Sequence, residues 1–235
     1  MIYLGSKNRI ANKILPIILK DRTEDQYYVE PFCGGCNIID KVTGKRIAND
    51  QHFYLIEMYK AIQRGWQPPQ NITLEIYNTV KNNKEKFKPY FVGYCGFIFS
   101  FRGSWFRGFK HLTNKKENIV RNYGLESYNN FKKQIPNLLD IEFYNLNYKD
   151  LIIPDNSIIY CDPPYKNTIN YKNKNNQDLE FNHYEFYDWC RNKKLNGHKV
   201  FISEYNMPSD FKVIWQQQIK NNMNYKNVTE KLFTI

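Results

Sequence analysis

Apolar residues recur along the chain in two rhythms, one helical and one of short runs. From Arg9 to Leu19, the residues Ile10, Ile14, Ile17 and Ile18 fall on one face at helical spacing, which predicts an amphipathic helix with Pro16 as a kink point. Tyr27 to Glu30 reads as a strand that runs straight into Pro31-Phe32-Cys33-Gly34-Gly35. Asn37 to Val42 predicts a short helix ending near Gly44. Arg46 to Ala48 predicts a second strand that ends at Asn49-Asp50, followed by a helical run through Phe53, Leu55, Ile56 and Met58. Further on, Asp140 to Tyr144, Ser157 to Tyr160 and Lys199 to Ser203 read as strands. Asn182 to Lys194 reads as a helix with Asn182 as its cap, acids Glu185 and Asp188 early and Arg191, Lys193 and Lys194 late. Val213 to Trp215 and Leu232 to Ile235 are further strand candidates, suited to pairing as an antiparallel edge. Asn167 to Asp178 is polar and reads as a loop. Strand, helix and strand alternate on both sides of an interruption, so the expected fold is α/β, a three-layer body.

The interruption spans residues 66–140. It opens at Trp66-Gln67-Pro68-Pro69, and Glu75 to Phe87 and Tyr128 to Leu139 predict helices within it. Between them, Phe91 to Lys110 interleaves aromatic rings, glycines and arginines, a pattern that serves either a packed subdomain core or base stacking with phosphate contact. Arg102, Trp105, Arg107 and Lys110 are the candidate nucleic-acid contacts. Charge sharpens this reading. Residues 60–140 hold 14 Lys/Arg against 5 Asp/Glu, whereas the rest of the chain holds 20 against 18, so nearly all of the +11 net charge sits in one third of the chain. That is the footprint of a basic nucleic-acid-binding insertion, 66–140, on a near-neutral body of 1–65 and 141–235.

Composition excludes several classes. No segment reaches ~18 uninterrupted apolar residues, so no membrane span is expected, and the start of the chain lacks the apolar run of a signal peptide, so the protein is expected in the cytoplasm. Five scattered cysteines make no disulfide framework. Cys33 and Cys36 have the spacing of half a zinc site without a second pair, so no metal is expected.

The candidate chemistry lies at Asp162-Pro163-Pro164-Tyr165, directly after the Ser157–Tyr160 strand and Cys161. Two prolines cannot continue a strand ladder, so the chain turns there and presents an acid, a rigid carbonyl and a ring together. An exocyclic amine on a base is a poor nucleophile because its lone pair is delocalised into the ring. The Asp162 carboxylate and the Pro163 carbonyl, each accepting one N–H, would draw that nitrogen towards tetrahedral geometry and stabilise the charge that develops on it. Tyr165 supplies a face for a base to stack on. Asp50, 16 positions after Gly34, sits where a ribose diol is held in nucleoside-binding α/β folds, and it is equally placed to cap the following helix.

In order, Tyr3-Leu4-Gly5-Ser6-Lys7, Glu30-Pro31-Phe32-Cys33-Gly34-Gly35, Asn49-Asp50, a variable basic insertion and Asp162-Pro163-Pro164-Tyr165 resemble the DNA adenine N6-methyltransferase family in its short, phage-like form. The resemblance extends to Gly197–Tyr205 and Glu230–Phe233. It implies a Rossmann-like S-adenosylmethionine-dependent methyltransferase sheet with an inserted, mainly helical and hairpin target-recognition domain. It implies S-adenosylmethionine held by Tyr3, Lys7, Glu30, Pro31, Phe32, Gly34, Gly35, Asp50, Asn147 and Asp162, and double-stranded DNA as partner to a monomer or weak dimer. Two departures stand out: Cys36 replaces a frequent third glycine, and Asn147 stands where the family often carries an acid. The rival readings are the same chemistry on RNA adenine or on cytosine N4, and a DNA-binding protein with a vestigial methyltransferase body.

Overall fold

The strands Tyr28–Glu30, Arg46–Asn49 and Ile158–Cys161 are buried at every position, which is the signature of a sheet sandwiched between helices, while Glu142–Tyr144 at the sheet edge buries only Phe143. In the computed structural model, which describes residues 1–110, 121–165, 181–220 and 227–235, seven strands form one sheet in the order β3-β2-β1-β4-β5-β7-β6. They are β1 Tyr28–Glu30, β2 Arg46–Asn49, β3 Glu142–Tyr144, β4 Ile158–Cys161, β5 Lys199–Glu204, β6 Lys212–Lys220 and β7 Asn227–Thr234. The first five are parallel, and β7 pairs antiparallel with both β5 and β6. Side chains alternate between two cores. Tyr28, Ile158 and Tyr160 enter one, and Val29, Ile159 and Cys161 enter the other.

The helices are α1 Ala11–Ile18, α2 Phe53–Gln63, α3 Leu74–Asn82, α4 Pro89–Ile98, α5 Tyr123–Gln134 and α6 His183–Leu195. The second core packs against Phe186, Tyr187 and Cys190 of α6, whose cap is Asn182, accepting from the Glu185 backbone N–H at 3.2 Å. The first core runs without a break from α1 and α2 into α4 and α5. Tyr94, Phe97 and Phe131 of residues 66–140 belong to the same apolar cluster as Ile14 and Tyr28. α4 lies so close to α2 that a Cβ at Gly93 would stand 2.0 Å from the Tyr54 carbonyl oxygen.

Several boundaries differ from the sequence expectation. The helix expected at 37–42 is only a three-residue 3-10 turn, Ile39–Lys41, because the chain is already being pulled into the loop between β1 and β2. The helix expected over 75–87 ends at Asn82, and Lys84–Lys86 forms a separate 3-10 turn before the Lys88-Pro89 bond, where proline disfavours a preceding helical residue. The helix expected over 128–139 starts earlier, with Asn122 accepting from Leu125 N–H as its cap, and Pro136 falls in a 3-10 turn rather than the helix. β6 and β7 are far longer than the short runs Val213–Trp215 and Leu232–Ile235 that announced them, since backbone pairing carries them through Gln216–Gln218 and Thr229–Lys231. The polar loop expected at 167–178 lies outside the described residues. Among the described residues, no helix is long and apolar enough to cross a membrane.

Candidate functional site

The sheet order fixes where a ligand can enter. From β1 the chain moves outward through β2 and β3, then returns to β4 on the other side and moves away through β5. The reversal falls between β1 and β4, and a crevice at the carboxyl ends of those two strands follows from it. The loop after β1 is Pro31 to Cys36, and the turn after β4 is Asp162 to Tyr165. β7 runs antiparallel to β5, with Lys231 opposite Glu204, so Glu230 is delivered to this same edge.

Four side chains meet there. Lys7, in the turn before α1, places Nζ 3.1 Å from Asp162 Oδ1 and 3.9 Å from Glu230 Oε2. The same ammonium lies 4.4 Å from the centroid of the Tyr165 ring. The Tyr165 hydroxyl donates to Glu230 Oε2 at 2.9 Å, and its ring meets Tyr205 edge-on with centroids 4.6 Å apart. Burial pushes the Asp162 carboxyl up to about 6, and nearby Glu230 adds to the rise, although the Lys7 ammonium opposes it. Burial alone would lower Lys7, but Asp162 and Glu230 together overcome this and leave its pKa raised. Burial holds the Tyr165 hydroxyl well above the usual phenol range. Pro163 is buried and Pro164 half-buried.

The cofactor candidates divide. The Gly34 N–H donates to Asp50 Oδ2 at 3.0 Å and the His52 N–H to Asp50 Oδ1 at 2.9 Å, so Asp50 braces the glycine loop and the turn ahead of α2, whereas the cap position the sequence offered it belongs to His52, whose side chain makes no cap hydrogen bond. Each oxygen keeps a second lone pair, which is the acceptor set a ribose diol needs. Tyr3 covers the loop. A Cβ on Gly34 would come 2.7 Å from its ring, and one on Gly35 would come 2.6 Å from its Cβ. The glycines are therefore required by a side chain of this chain, where the sequence suggested close approach of a ligand. Glu30 is turned inward, buried and accepting from the Tyr28 hydroxyl at 2.9 Å, and burial raises its carboxyl well above the ordinary range. Pro31 is buried with its carbonyl accepting from Asn49 Nδ2 at 3.0 Å. Phe32 joins the aromatic cluster of Tyr148, Phe181 and Phe186. Asn147 accepts from the Lys149 N–H at 3.1 Å and caps a 3-10 turn after β3. Carboxylates, a braced glycine loop and flanking rings at one sheet edge fit S-adenosylmethionine, whose ribose, adenine and amino-acid ends ask for that set.

The nucleic-acid candidates also divide. Arg107 is exposed. Arg102 is half-exposed, in a left-handed turn with φ 57°, and its guanidinium lies 5.3 Å from the centre of the Phe101 ring. Trp105 is half-buried against Tyr54, Phe97 and His52, with its ring over Gly96. Lys110 is a correction to the sequence reading. It is buried, and Nζ donates to the Ile98 carbonyl at 2.9 Å and to Ser127 Oγ at 2.6 Å, so it ties α4 to α5 instead of facing a phosphate.

Three residues that sequence reasoning did not place here serve the site. Glu230 anchors Tyr165. Buried Asn49 stitches the loops after β1 and β3 through Pro31 O, Leu146 O and the Leu146 N–H. Buried Gln134, at the end of α5, donates to the Gly35 and Cys36 carbonyls at 3.0 and 3.1 Å, so the insertion grips the glycine loop directly.

Against known proteins, the family description "D12 class N6 adenine-specific DNA methyltransferase" matches residues 3–94 and 100–232, nearly the whole chain. The chain belongs to this family. The match takes in the glycine loop at 31–36 and Asp162–Tyr165. Among curated proteins, the chain is similar to the Type II methyltransferase M.FokI of Planomicrobium okeanokoites, 24% identical over 233 residues that take in 82% of this chain. The chain spans about a third of that relative's length, 32%.

Proposed function

We propose that this D12 class chain transfers a methyl group from S-adenosylmethionine to the N6 amine of an adenine flipped out of double-stranded DNA. The observation that carries the reading is the placement of Asp162-Pro163-Pro164-Tyr165 at the end of β4, beside the glycine loop of β1, at the point where the strand order reverses.

When bound, S-adenosylmethionine supplies an electrophilic sulfonium methyl. This chain's residues do the rest. Asp50 and the loop it braces would hold the ribose. Asp162 and the Pro163 carbonyl accept the two amine N–H groups and localise the nitrogen lone pair, and the positive charge that develops on nitrogen is met by the Asp162 carboxylate until the methylated nitrogen releases one proton to water. Tyr165, fixed by its hydroxyl on Glu230, offers a ring for the base, which must leave the helix stack to reach it. Residues 66–140 carry the DNA contacts in this reading, with Arg102, Trp105 and Arg107 as the candidates.

The test is transfer of labelled methyl to unmethylated DNA by the native protein and by Asp162→Ala, with cofactor binding and DNA binding measured separately. Loss of transfer in the variant, with DNA binding kept, is the expected result. Near-native transfer by Asp162→Ala would remove the assignment.

A further inference from the structure

The amine site already contains an amine. Lys7 Nζ lies 3.1 Å from Asp162 Oδ1 and 4.4 Å from the centre of the Tyr165 ring. The proposed chemistry asks a base amine to make that same contact with Asp162 while its ring covers Tyr165. An ammonium there imitates both the N–H donors of the target and the charge it acquires on methylation. The base and the Lys7 ammonium therefore compete for one carboxylate.

Lys7 cannot simply withdraw. Its side chain is 10% exposed, and a buried cation drawn away from its nearer carboxylate carries a large desolvation penalty unless another carboxylate receives it. A second carboxylate is waiting. Glu230 Oε2 lies 3.9 Å from Nζ, and its side chain is 7% exposed. A shift of about 1 Å brings the ammonium within hydrogen-bond range of it. Glu230 also receives the Tyr165 hydroxyl on that same oxygen, so the residue that would take the cation also steadies the ring.

Resting on the reading of this site as an amino-methyltransferase centre, we propose that Lys7 is a place-holder for the target amine on Asp162. Glu230 is the positioning residue that receives its ammonium when the base enters. The device favours bases that carry an exocyclic amine, because a base without one offers Asp162 nothing in exchange for the ammonium.

The experiment is steady-state methyl transfer from labelled S-adenosylmethionine to unmethylated genomic DNA at about pH 8, above the titration of ordinary carboxyl groups. Cofactor affinity is measured alongside for the native protein, Glu230→Gln, Lys7→Met and the double variant. Glutamine still accepts the Tyr165 hydroxyl but offers no charge to the ammonium. The expected result for Glu230→Gln is a KM for DNA raised on the order of tenfold, the size of one lost charge-assisted contact, with cofactor affinity unchanged. Adding Lys7→Met should recover most of that rise, since no ammonium remains to be housed. A purely structural role for Glu230 would give no such rescue. A native KM in Glu230→Gln, or a double variant as impaired as the single one, overturns the inference. Should Glu230→Gln fail to fold, Lys7→Met decides alone. A KM for DNA below the native value supports the inference, and an unchanged or higher KM, or no turnover, overturns it. If the native protein transfers no methyl to DNA, the functional reading fails and this inference falls with it.

Discussion

At the scale of the residue, the role proposed for Asp162 sets the expected pH dependence. Its carboxyl must be ionised to accept an amine N–H, and burial has raised it to about 6. The expected kcat/KM therefore rises with pH through about 6 and levels off above. Glu230→Gln removes a neighbouring negative charge that helps to raise Asp162, so the acid limb of the profile should move to lower pH in that variant. His52 makes a second pH prediction. Both its ring nitrogens are buried without a hydrogen-bond partner among the described residues, between Phe97 and Trp105, and burial lowers its pKa to about 4. The unfolded chain takes up this proton near pH 6.5 and the folded chain does not, so stability falls as pH drops through that window. Such a difference is worth up to about 3 kcal/mol, and urea unfolding of His52→Phe from pH 4 to 7 should show a flatter profile than the native protein. The catalytic candidates Asp162–Tyr165 stood out in the sequence because the four are contiguous and follow a strand. Glu230 and Gln134 did not, because their partners lie 65 and 99 positions away and no local pattern marks a buried carboxylate or amide as reaching across the fold.

At the scale of the element, the short buried strands and α6 were legible because their apolar runs and caps are local. What the sequence concealed was the reach of β6 and β7, whose Gln, Thr and Lys residues are held by ladder pairing rather than by an apolar face. The aromatic stretch in 91–110 illustrates the same difficulty in reverse. Its rings read equally as a base-stacking surface or a core. Tyr94, Phe97, Phe99 and Phe106 are in fact interior, whereas Phe101 and Arg107 are exposed and Arg102 and Trp105 are partly so. The α2–α4 contact is the joint that carries the insertion, and it depends on Gly93. A Cβ there, 2.0 Å from a backbone oxygen of Tyr54, has no side chain to push aside. Gly93→Ala should therefore destabilise the fold by about 3 kcal/mol, at the upper end of ordinary overpacking. A thermal melt indistinguishable from native would contradict this packing account.

At the scale of the whole molecule, the excess positive charge of residues 60–140 and the near-neutral remainder imply DNA binding that weakens with salt. Exposed Arg107 and buried Lys110 give opposite expectations. Arg107→Ala should reduce the slope of log affinity against log salt by about one unit. Lys110→Met should leave that slope unchanged and lower the melting temperature, because it strips the Ile98 carbonyl and Ser127 hydroxyl of their donor. Gln134 and the α2–α4 joint connect this basic region to the glycine loop, so residues of 66–140 and the sheet share one packed core. The most direct measurement of the central claim is nucleoside analysis of DNA after incubation with the protein and labelled S-adenosylmethionine. The account predicts label in N6-methyladenine, absent with Asp162→Ala. Label in N4-methylcytosine, or none in DNA while RNA is methylated, would contradict it.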